Sequence, residues 1–212
     1  MDKQIEKITE FAKMRLGQDH TGHGFDHAQR VARLARKITE EQSGDPLIIQ
    51  GAVLLHDTID DKVVADSAKA LQEVEAFLHS LTLTQEQVTE ILYIITHLSF
   101  SRELEKGKAV LSIEGQIVQD ADRLDALGAL GIMRTAYFGG SHGHPIYDPE
   151  IKPENYQDKA TYRKGSTVIN HFYEKLFLLA DSMNTRLGKE EAMRRKKFMT
   201  DFLAEFYQEW AD

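Results

Sequence analysis

The sequence contains no cysteine in its 212 residues, and only four prolines. The absence of cysteine excludes disulfide bonds and thiolate metal sites, so a metal ion would need histidine, carboxylate or backbone oxygen ligands. Long apolar runs are also absent, since none approaches the ~20 residues of a membrane-spanning helix. Residues 1–7 are polar and predict the start of a helix instead of a signal peptide. We therefore expect a cytoplasmic protein that has no membrane partner.

Basic residues are fewer than acidic ones, with 26 Lys and Arg against 34 Asp and Glu and a net charge of -8. A general nucleic-acid-binding protein carries a basic face, so we expect no nucleic-acid partner. A small phosphorylated substrate is compatible with the negative charge, because a bound divalent cation reverses the local sign. The length and the 42% hydrophobic content predict one globular domain over residues 1–212.

Apolar residues recur at helical spacing along most of the chain, and no alternating run is long enough to predict a sheet. We therefore predict an all-α, single-domain helical bundle. Capping signals mark helix starts at Asp45-Pro46 and at Thr84 with Gln87. Further predictions are helices over 25–44 and 111–133, a loop over 99–108, an irregular segment over 139–158, and closing helices over 159–187 and 189–210 separated by Gly188.

Three predicted helices each place a metal-competent side chain on an apolar face. These side chains are His27, the doublet His56-Asp57, and Asp122. Each alone could be a hydrogen-bonded core histidine, a cap or an ion-pair partner. Together they favour a metal site, because unpaired polar groups are costly in a core and buried carboxylates demand a cation.

The order of these residues resembles the H…HD…D signature of the HD-domain superfamily of metal-dependent phosphohydrolases. The resemblance covers about residues 22–140, which form the expected HD core. We expect the two predicted C-terminal helices to pack on this core. The resemblance also implies one divalent ion held by the four residues above. Further similarity lies at residues 26–35, 52–57 and 121–124, and at 138–140 and 143–145, which resemble a loop of small stand-alone bacterial members. Some of those members split nucleoside triphosphates into monophosphate and pyrophosphate.

Two imidazoles and two carboxylates would leave open positions on a six-coordinate ion for water and a phosphate oxygen. Mixed nitrogen and oxygen ligands suit Mn, Fe, Co, Ni or Zn, and Mg if the histidines are tolerated. The resemblance implies the same range, and we favour Mn or Ni. Two-metal HD phosphodiesterases add two histidines between the doublet and the last aspartate. This chain has only His79 and His97 there, and His79 lies at an unremarkable helix end, which favours a mononuclear site.

Residues 56–61 resemble the HD-x-x-[DE]-D element of ppGpp-hydrolysing members. By this match, Asp60 is the predicted general base for the attacking water, and Asp61 supports it from the next position. An acidic helix end that is open to water is the alternative interpretation. The chain departs from the ppGpp hydrolases at residues 124–126, where it lacks their His-Asn pair.

Substrate phosphate needs hydrogen-bond donors and close backbone approach. The candidates are Lys62, His97, Arg134, Gly139 and Gly140. For His97 a core or capping role is the alternative, and the glycines could belong to a plain surface loop.

Several other side chains receive different or weaker assignments. Arg123 points about 100° away from Asp122 on its helix, which favours a salt bridge. The weaker candidates for the site are His20, His23, His142 and His144.

We expect a metal-dependent phosphohydrolase that acts on a nucleotide, and the resemblance favours cleavage of a triphosphate to monophosphate and pyrophosphate. A nucleoside monophosphate phosphatase and a cyclic-nucleotide phosphodiesterase are the alternatives of the same class. A non-catalytic nucleotide- or metal-sensing module and a structural helical protein are alternatives of other classes. An apolar stripe on the last helix is interpreted as part of the core, with a homodimer interface as the alternative; it is formed by Phe198, Phe202, Phe206 and Trp210.

Overall fold

A computed structural model describes residues 2–17, 22, 24–156 and 158–211, and no strand occurs within these ranges. The helices are α1 (Asp2–Leu16), α2 (Phe25–Thr39), α3 (Pro46–Leu55), α4 (Ser67–His79), α5 (Gln85–His97), α6 (Phe100–Lys106), α7 (Ile113–Asp125), α8 (Gly128–Ser141), α9 (Lys159–Lys164), α10 (Phe177–Asp181) and α11 (Arg186–Ala211). A 3₁₀ turn (His56–Ile59) follows α3, and a π-helical segment (Phe172–Leu176) leads into α10. The predicted all-α class is confirmed. None of the helices in the described ranges combines the length and the apolar character that crossing a bilayer requires.

Side-chain caps fix the starts of the helices as predicted. The Asp45 carboxylate accepts a hydrogen bond from Leu47 N at 2.8 Å, and Pro46 occupies the first turn of α3. Thr84 and Gln87 form both hydrogen bonds of a capping box, at 3.2 and 3.0 Å. These caps accept hydrogen bonds from backbone N–H groups that have no partner within the helix, which stabilises the start of each helix by about 1 kcal/mol.

Helices α2, α3 and α7 pack against one another at the centre of the core. Their contacts bury Val31, Val53 and Val118 completely. Helices α1 and α5 pack on α3 from outside, and α11 packs on α7 and α8. Two of these helices, α2 and α7, carry His27 and Asp122, and the 3₁₀ turn that follows α3 carries His56 and Asp57.

The predicted helix over 111–133 is interrupted between α7 and α8. Gly128 adopts a φ of 74°, a left-handed conformation that favours glycine. Its amide donates to Met199 Sδ at 3.1 Å, and the neighbouring Leu127 is buried. The chain therefore turns at this point because it packs against α11, which the local periodicity does not reveal.

Two other boundaries were predicted wrongly. The expected loop over 99–108 contains α6, whose first turn is capped by Ser99 Oγ accepting from Arg102 N at 3.3 Å. Helix α2 ends at Thr39, before the expected position near Gly44. Both differences concern short segments of mixed polarity, where periodicity is a weak signal.

The closing segment is more divided than the predicted helices over 159–187 and 189–210. It comprises α9, the π-helical segment, α10 and α11. Gly188 is no break, because it lies in the first turn of α11, where a Cβ atom would stand 2.3 Å from Asp120 Oδ2. The buried Asp120 carboxylate accepts hydrogen bonds from Asn184 N at 2.9 Å and Thr185 N at 2.7 Å. Because residue 188 has no side chain, the Asp120 carboxylate of α7 can approach and bind the backbone amides just before α11.

The irregular segment begins after Ser141, so the predicted segment over 139–158 starts three residues too early. Buried Glu174 holds its far part, accepting from Glu154 N at 3.0 Å, from Ser166 Oγ at 2.7 Å and from the Tyr156 hydroxyl. Val168 N also donates to Pro145 O at 3.0 Å. The segment is therefore fixed against the π-helical segment and does not project freely into solvent.

Candidate metal centre

The four predicted ligands converge at one point between α2, α3 and α7. The Nε2 atoms of His27 and His56 lie 3.3 Å apart. His27 Nε2 is 3.4 Å from Asp57 Oδ2 and 3.3 Å from Asp122 Oδ1. His56 Nε2 is 3.4 Å from Asp57 Oδ1 and 3.6 Å from Asp122 Oδ1. His27, His56 and Asp57 are buried, whereas the Asp122 side chain is 30% exposed and faces the accessible side.

The second ring nitrogen of each histidine is already engaged by an acceptor. His27 Nδ1 lies 2.7 Å from Asp125 Oδ2, and His56 Nδ1 lies 2.7 Å from Val53 O. A proton on Nδ1 satisfies both contacts and leaves the lone pair of Nε2 directed into the cluster. Two such imidazoles beside two carboxylates fit a divalent ion of the first transition row.

The electrostatics of the cluster are dominated by the close approach of imidazoles and carboxylates. Burial lowers the pKa of His56, but Asp57 and Asp122 outweigh burial and raise the pKa to about 10. Burial likewise opposes the charged form of His27, and hydrogen bonds with Asp122 and Asp125 raise its pKa. Burial disfavours ionised Asp122, yet the two histidines hold its pKa well below the usual range. The site therefore stabilises positive charge next to its carboxylates, which a divalent cation would supply.

Asp125 organises the surroundings of His27, and sequence reasoning gave it no role. Its buried carboxylate accepts from Arg30 Nε at 2.8 Å and from Arg134 Nη1 at 2.8 Å. Burial alone would raise the pKa of the Asp125 carboxyl, but His27 and Arg30 have the larger effect. The pKa is therefore below its usual value, and the group is ionised. Asp125 lies one helical turn after Asp122, on the stripe that faces the core, and this spacing was the available signal.

A cavity of about 470 Å³ opens at the cluster. All four predicted ligands line it, together with Asp60, Asp61, Lys62, Arg134 and Lys175. The chain leaves the 3₁₀ turn at Asp60, with φ -71° and ψ 135°, so the helix does not continue to Asp61. Asp60 Oδ1 accepts from Lys62 N at 2.9 Å, while the exposed Asp61 lies further out in the same turn. Burial raises the pKa of Asp60, and Lys62 opposes this rise.

The structure does not bring His97 to this cavity. Its ring stacks on Tyr93, with centroids 4.1 Å apart, and Nδ1 lies 2.8 Å from Tyr93 O. This contact uses one of the carbonyl groups near the end of α5, so it holds the ring against its own helix. His97 is absent from the residues that line the cavity in the described ranges.

Arg134 lies at the cavity, whereas the two glycines lie in a helix instead of the predicted loop. Arg134 lines the cavity, but its guanidinium also donates to Gly22 O at 2.7 Å in addition to Asp125. Gly139 and Gly140 belong to the last turn of α8 and not to a loop. A Cβ atom on Gly139 would stand 2.4 Å from Val168 Cγ2, whereas Gly140 faces open space. Close packing against Val168 therefore explains why residue 139 is a glycine. The contact of Gly139 and Gly140 with substrate phosphate stays a prediction.

The remaining candidates have definite positions where the structure describes them. Arg123 donates from Nη2 to Glu103 Oε1 at 2.6 Å, so its predicted salt bridge is confirmed. His142 and His144 lie beside the site, around a neighbouring cavity. His20 and His23 lie outside the described residues.

Comparison with known proteins gives consistent matches. Residues 24–127 match the family described as the HD domain. YpgQ of Bacillus subtilis is 37% identical over 201 residues, which cover 95% of this chain and 91% of that protein. The crystal structure of YpgQ in complex with ADP has a TM-score of 0.77 at 32% identity and covers 97% of each chain.

Two other crystal structures are similar over nearly the whole chain. A Lactobacillus plantarum protein has a TM-score of 0.90 at 44% identity, covering 100% of this chain and 99% of its own. An HD-superfamily hydrolase from Bacillus thuringiensis has a TM-score of 0.77 at 38% identity, covering 99% and 98%. The similarity therefore extends through α8–α11, beyond the residues that match the family.

Proposed function

This chain belongs to the HD-domain family and is a metal-dependent phosphohydrolase, and from that premise we propose that it cleaves nucleoside triphosphates to monophosphate and pyrophosphate. One observation carries the proposal: the cluster of His27, His56, Asp57 and Asp122 lies at the wall of a cavity that also contains lysine and arginine side chains. The ADP complex of the related YpgQ supports a nucleotide as the ligand. The choice of the α–β bond rests on the resemblance to small stand-alone members of the family.

The proposed metal ligands are His27, His56, Asp57 and Asp122, and we favour Mn or Ni for the single ion. A bound ion of this kind supplies Lewis-acid activation of a phosphoryl oxygen and makes a coordinated water more acidic. The mixed donors and the closeness of the four side chains, within 3.6 Å of His56 or His27 Nε2, support this assignment.

Asp60 is the proposed general base. It lines the cavity on the same wall as Asp57, and its carboxylate is held by the turn through Lys62 N. Water attacks the α-phosphorus, Asp60 takes the proton, and the bond from the α-phosphorus to the bridging oxygen breaks. Pyrophosphate leaves with that electron pair. Asp61, at the outer side of the turn, strengthens the negative field around Asp60.

Lysine side chains are the proposed partners of the phosphate oxygens. Lys62 follows the acidic pair and lines the cavity. Lys175 lines it from the opposite side, where its Nζ donates to Tyr162 Oη at 2.7 Å. Donors that are held in place before charge develops stabilise the transition state more than mobile ones do. Sequence reasoning did not identify Lys175, because it belongs to the distant π-helical segment.

The deciding experiment follows the products of hydrolysis. The purified protein is stripped of metal, reloaded with Mn, Ni, Co or Mg, and incubated with nucleoside triphosphate in ¹⁸O-labelled water. Phosphorus NMR should detect monophosphate and pyrophosphate, with the label in the monophosphate. Asp60→Asn should lower kcat while the bound metal stays the same.

Other outcomes select the other functions. Release of inorganic phosphate from monophosphates would indicate a phosphatase, and opening of cyclic nucleotides would indicate a phosphodiesterase. Stoichiometric metal binding without hydrolysis of any phosphate ester would favour a sensing module and contradict the proposal.

A further inference from the structure

A second cavity, of about 440 Å³, adjoins the cavity at the metal cluster. The two cavities share Lys62, Ala126, Arg134, Tyr162 and Lys175 in their walls. Three of these five side chains are cationic, so positive charge is concentrated where the two spaces meet. A ligand that occupies both cavities would therefore place its most negative part beside the metal centre and at this junction.

The second cavity is lined by two pairs of aromatic rings that come from separate elements. Phe138 and His142, in and just after α8, stack with ring centroids 3.9 Å apart. Tyr162 of α9 and His171 stack with centroids 6.4 Å apart and an interplanar angle of 29°. All four rings line the cavity. A planar heteroaromatic group can gain stacking contacts with such walls, whereas a phosphate cannot.

One of these rings also offers hydrogen bonds to a neutral ligand. Burial, with Lys175 and Lys62 nearby, lowers the pKa of His171 to about 3. The imidazole is therefore uncharged near neutral pH, and it presents one donor and one acceptor. This combination suits the edge of a nucleobase, which also carries donors and acceptors in its plane.

Backbone hydrogen bonds hold the wall of this cavity in place. Ile169 N donates to Ile146 O at 3.0 Å, and His144 N donates to Gly139 O at 2.9 Å. Glu174 accepts from Ser166 Oγ on the same side. The aromatic rings therefore stand in a wall that is built before a ligand binds, which lowers the entropy cost of recognition.

We propose that the second cavity, defined by Phe138, His142, Tyr162 and His171, holds the nucleobase of the substrate whose phosphates reach the metal centre. The inference rests on the proposed function and adds to it the reason why the substrate is a nucleotide. A polyphosphate without a base would use only the first cavity and the cationic junction, so it would bind more weakly.

The test compares two uncleavable ligands on the metal-loaded protein by calorimetry. One is the adenosine diphosphate analogue with a methylene group in place of the bridging oxygen, and the other is methylenediphosphonate, which lacks the nucleoside. The wild-type protein should bind the nucleotide analogue roughly 10-fold tighter or more, as expected for base stacking. Phe138→Leu and His171→Leu should remove most of this preference and leave binding of methylenediphosphonate unchanged.

Two further variants make the result specific to the aromatic ring. Phe138→Tyr retains a ring and should keep the preference. Tyr137→Leu is the matched control, because Tyr137 precedes Phe138 on α8, is 59% exposed and does not line the cavity. Equal affinity of the wild type for both ligands would overturn the inference, as would an unchanged preference in Phe138→Leu and His171→Leu.

The outcomes also separate this inference from the proposed function. If triphosphates are cleaved but the preference is independent of Phe138 and His171, the base site is wrong and the function stands. If the cavity variants remove the preference but no nucleotide is cleaved, the base site stands and the function is wrong.

Discussion

The two sides of the cavities are built in different ways. On one side, His27 and Asp122 project from the long helices α2 and α7, and both ring nitrogens of His27 have defined contacts. On the other side, beyond residue 127 where the family match ends, the wall consists of the end of α8, an irregular segment and a π-helical segment. Regular helices place side chains precisely, whereas irregular segments can vary without disturbing the core.

The contacts that hold the two sides differ as well. Charged groups dominate around the metal ligands, where Asp125 is tied to both Arg30 and Arg134. Glu174 holds the opposite wall by accepting hydrogen bonds from neutral groups, and aromatic rings line its surface. We therefore expect changes on the first side to affect metal binding and every substrate alike. Changes on the second side should alter substrate preference or stability at constant metal affinity.

The largest effect is expected from Asp57→Ala, which removes a proposed ligand. Metal affinity should fall by more than about 100-fold, since loss of an outer contact alone costs roughly 10–100-fold. Elemental analysis after dialysis and a hydrolysis assay measure the two consequences. Asp201→Ala is the control, because Asp201 is exposed and pairs with Lys197 on the surface of α11. Full metal content in Asp57→Ala would contradict the assignment.

A smaller effect on the same side is expected from Asp125→Asn. The amide cannot balance His27 and two arginines as the carboxylate does, so Mn affinity should fall roughly 10–100-fold. Titration followed by electron paramagnetic resonance gives the affinity directly. Asp26→Asn is a matched control, because Asp26 also accepts from Arg30, at 2.6 Å, but its side chain is 74% exposed. Equal losses in both variants would show that Arg30, and not the contact with His27, is responsible.

On the opposite wall, Glu174→Gln should leave metal affinity unchanged. An amide oxygen is a weaker acceptor and its NH₂ group meets existing donors, so the free energy of unfolding should fall by about 1–3 kcal/mol. Thermal unfolding of the metal-loaded protein should show a decrease in Tm of several degrees. Glu154→Gln serves as the comparison, because the exposed Glu154 contributes its backbone amide to this contact. A loss of metal binding in Glu174→Gln would contradict the expectation that changes on the second side leave metal affinity constant.

The smallest effects concern the neighbouring glycines of α8. Gly139→Ala should lower the free energy of unfolding by about 1–3 kcal/mol, because the new methyl group would overlap Val168. Gly140→Ala should be neutral or stabilising by about 0.5–1 kcal/mol, because it faces open space in a helix. Denaturant titration measures both. Adding Val168→Ala to Gly139→Ala should restore part of the loss, and a higher KM in Gly140→Ala would support its predicted phosphate contact.

Much of the first side could be predicted from the sequence, because its signals are local. The spacing of His27, His56 and Asp122 on apolar faces indicated which side chains point inward, and the structure brings them together. The cap at Asp45 and the capping box at Thr84 depend on neighbouring residues alone, and both predictions are confirmed. Even there, His97 was predicted at the site, and its contact with Tyr93 shows that the end of an apolar helix does not define a side-chain direction.

The second side could not be predicted to the same extent, because distant contacts determine it. Gly128 interrupts a periodic apolar pattern where the chain packs against α11. Gly188 was interpreted as a break between helices, but it accommodates the Asp120 carboxylate from another helix. Neither partner is identifiable from the residues next to the glycine. Lys175 likewise reaches the cavity from a segment that local reasoning assigned to an ordinary helix.

The contact between Asp120 and the start of α11 has a practical consequence for cloning. A shortened gene that stops at residue 127 would still encode every proposed metal ligand. Its product would nevertheless lose the Asn184 and Thr185 groups that satisfy the buried Asp120 carboxylate, two positions before Asp122. We expect such a fragment to be recovered as insoluble material, and grafts between relatives should exchange α7 and α11 together.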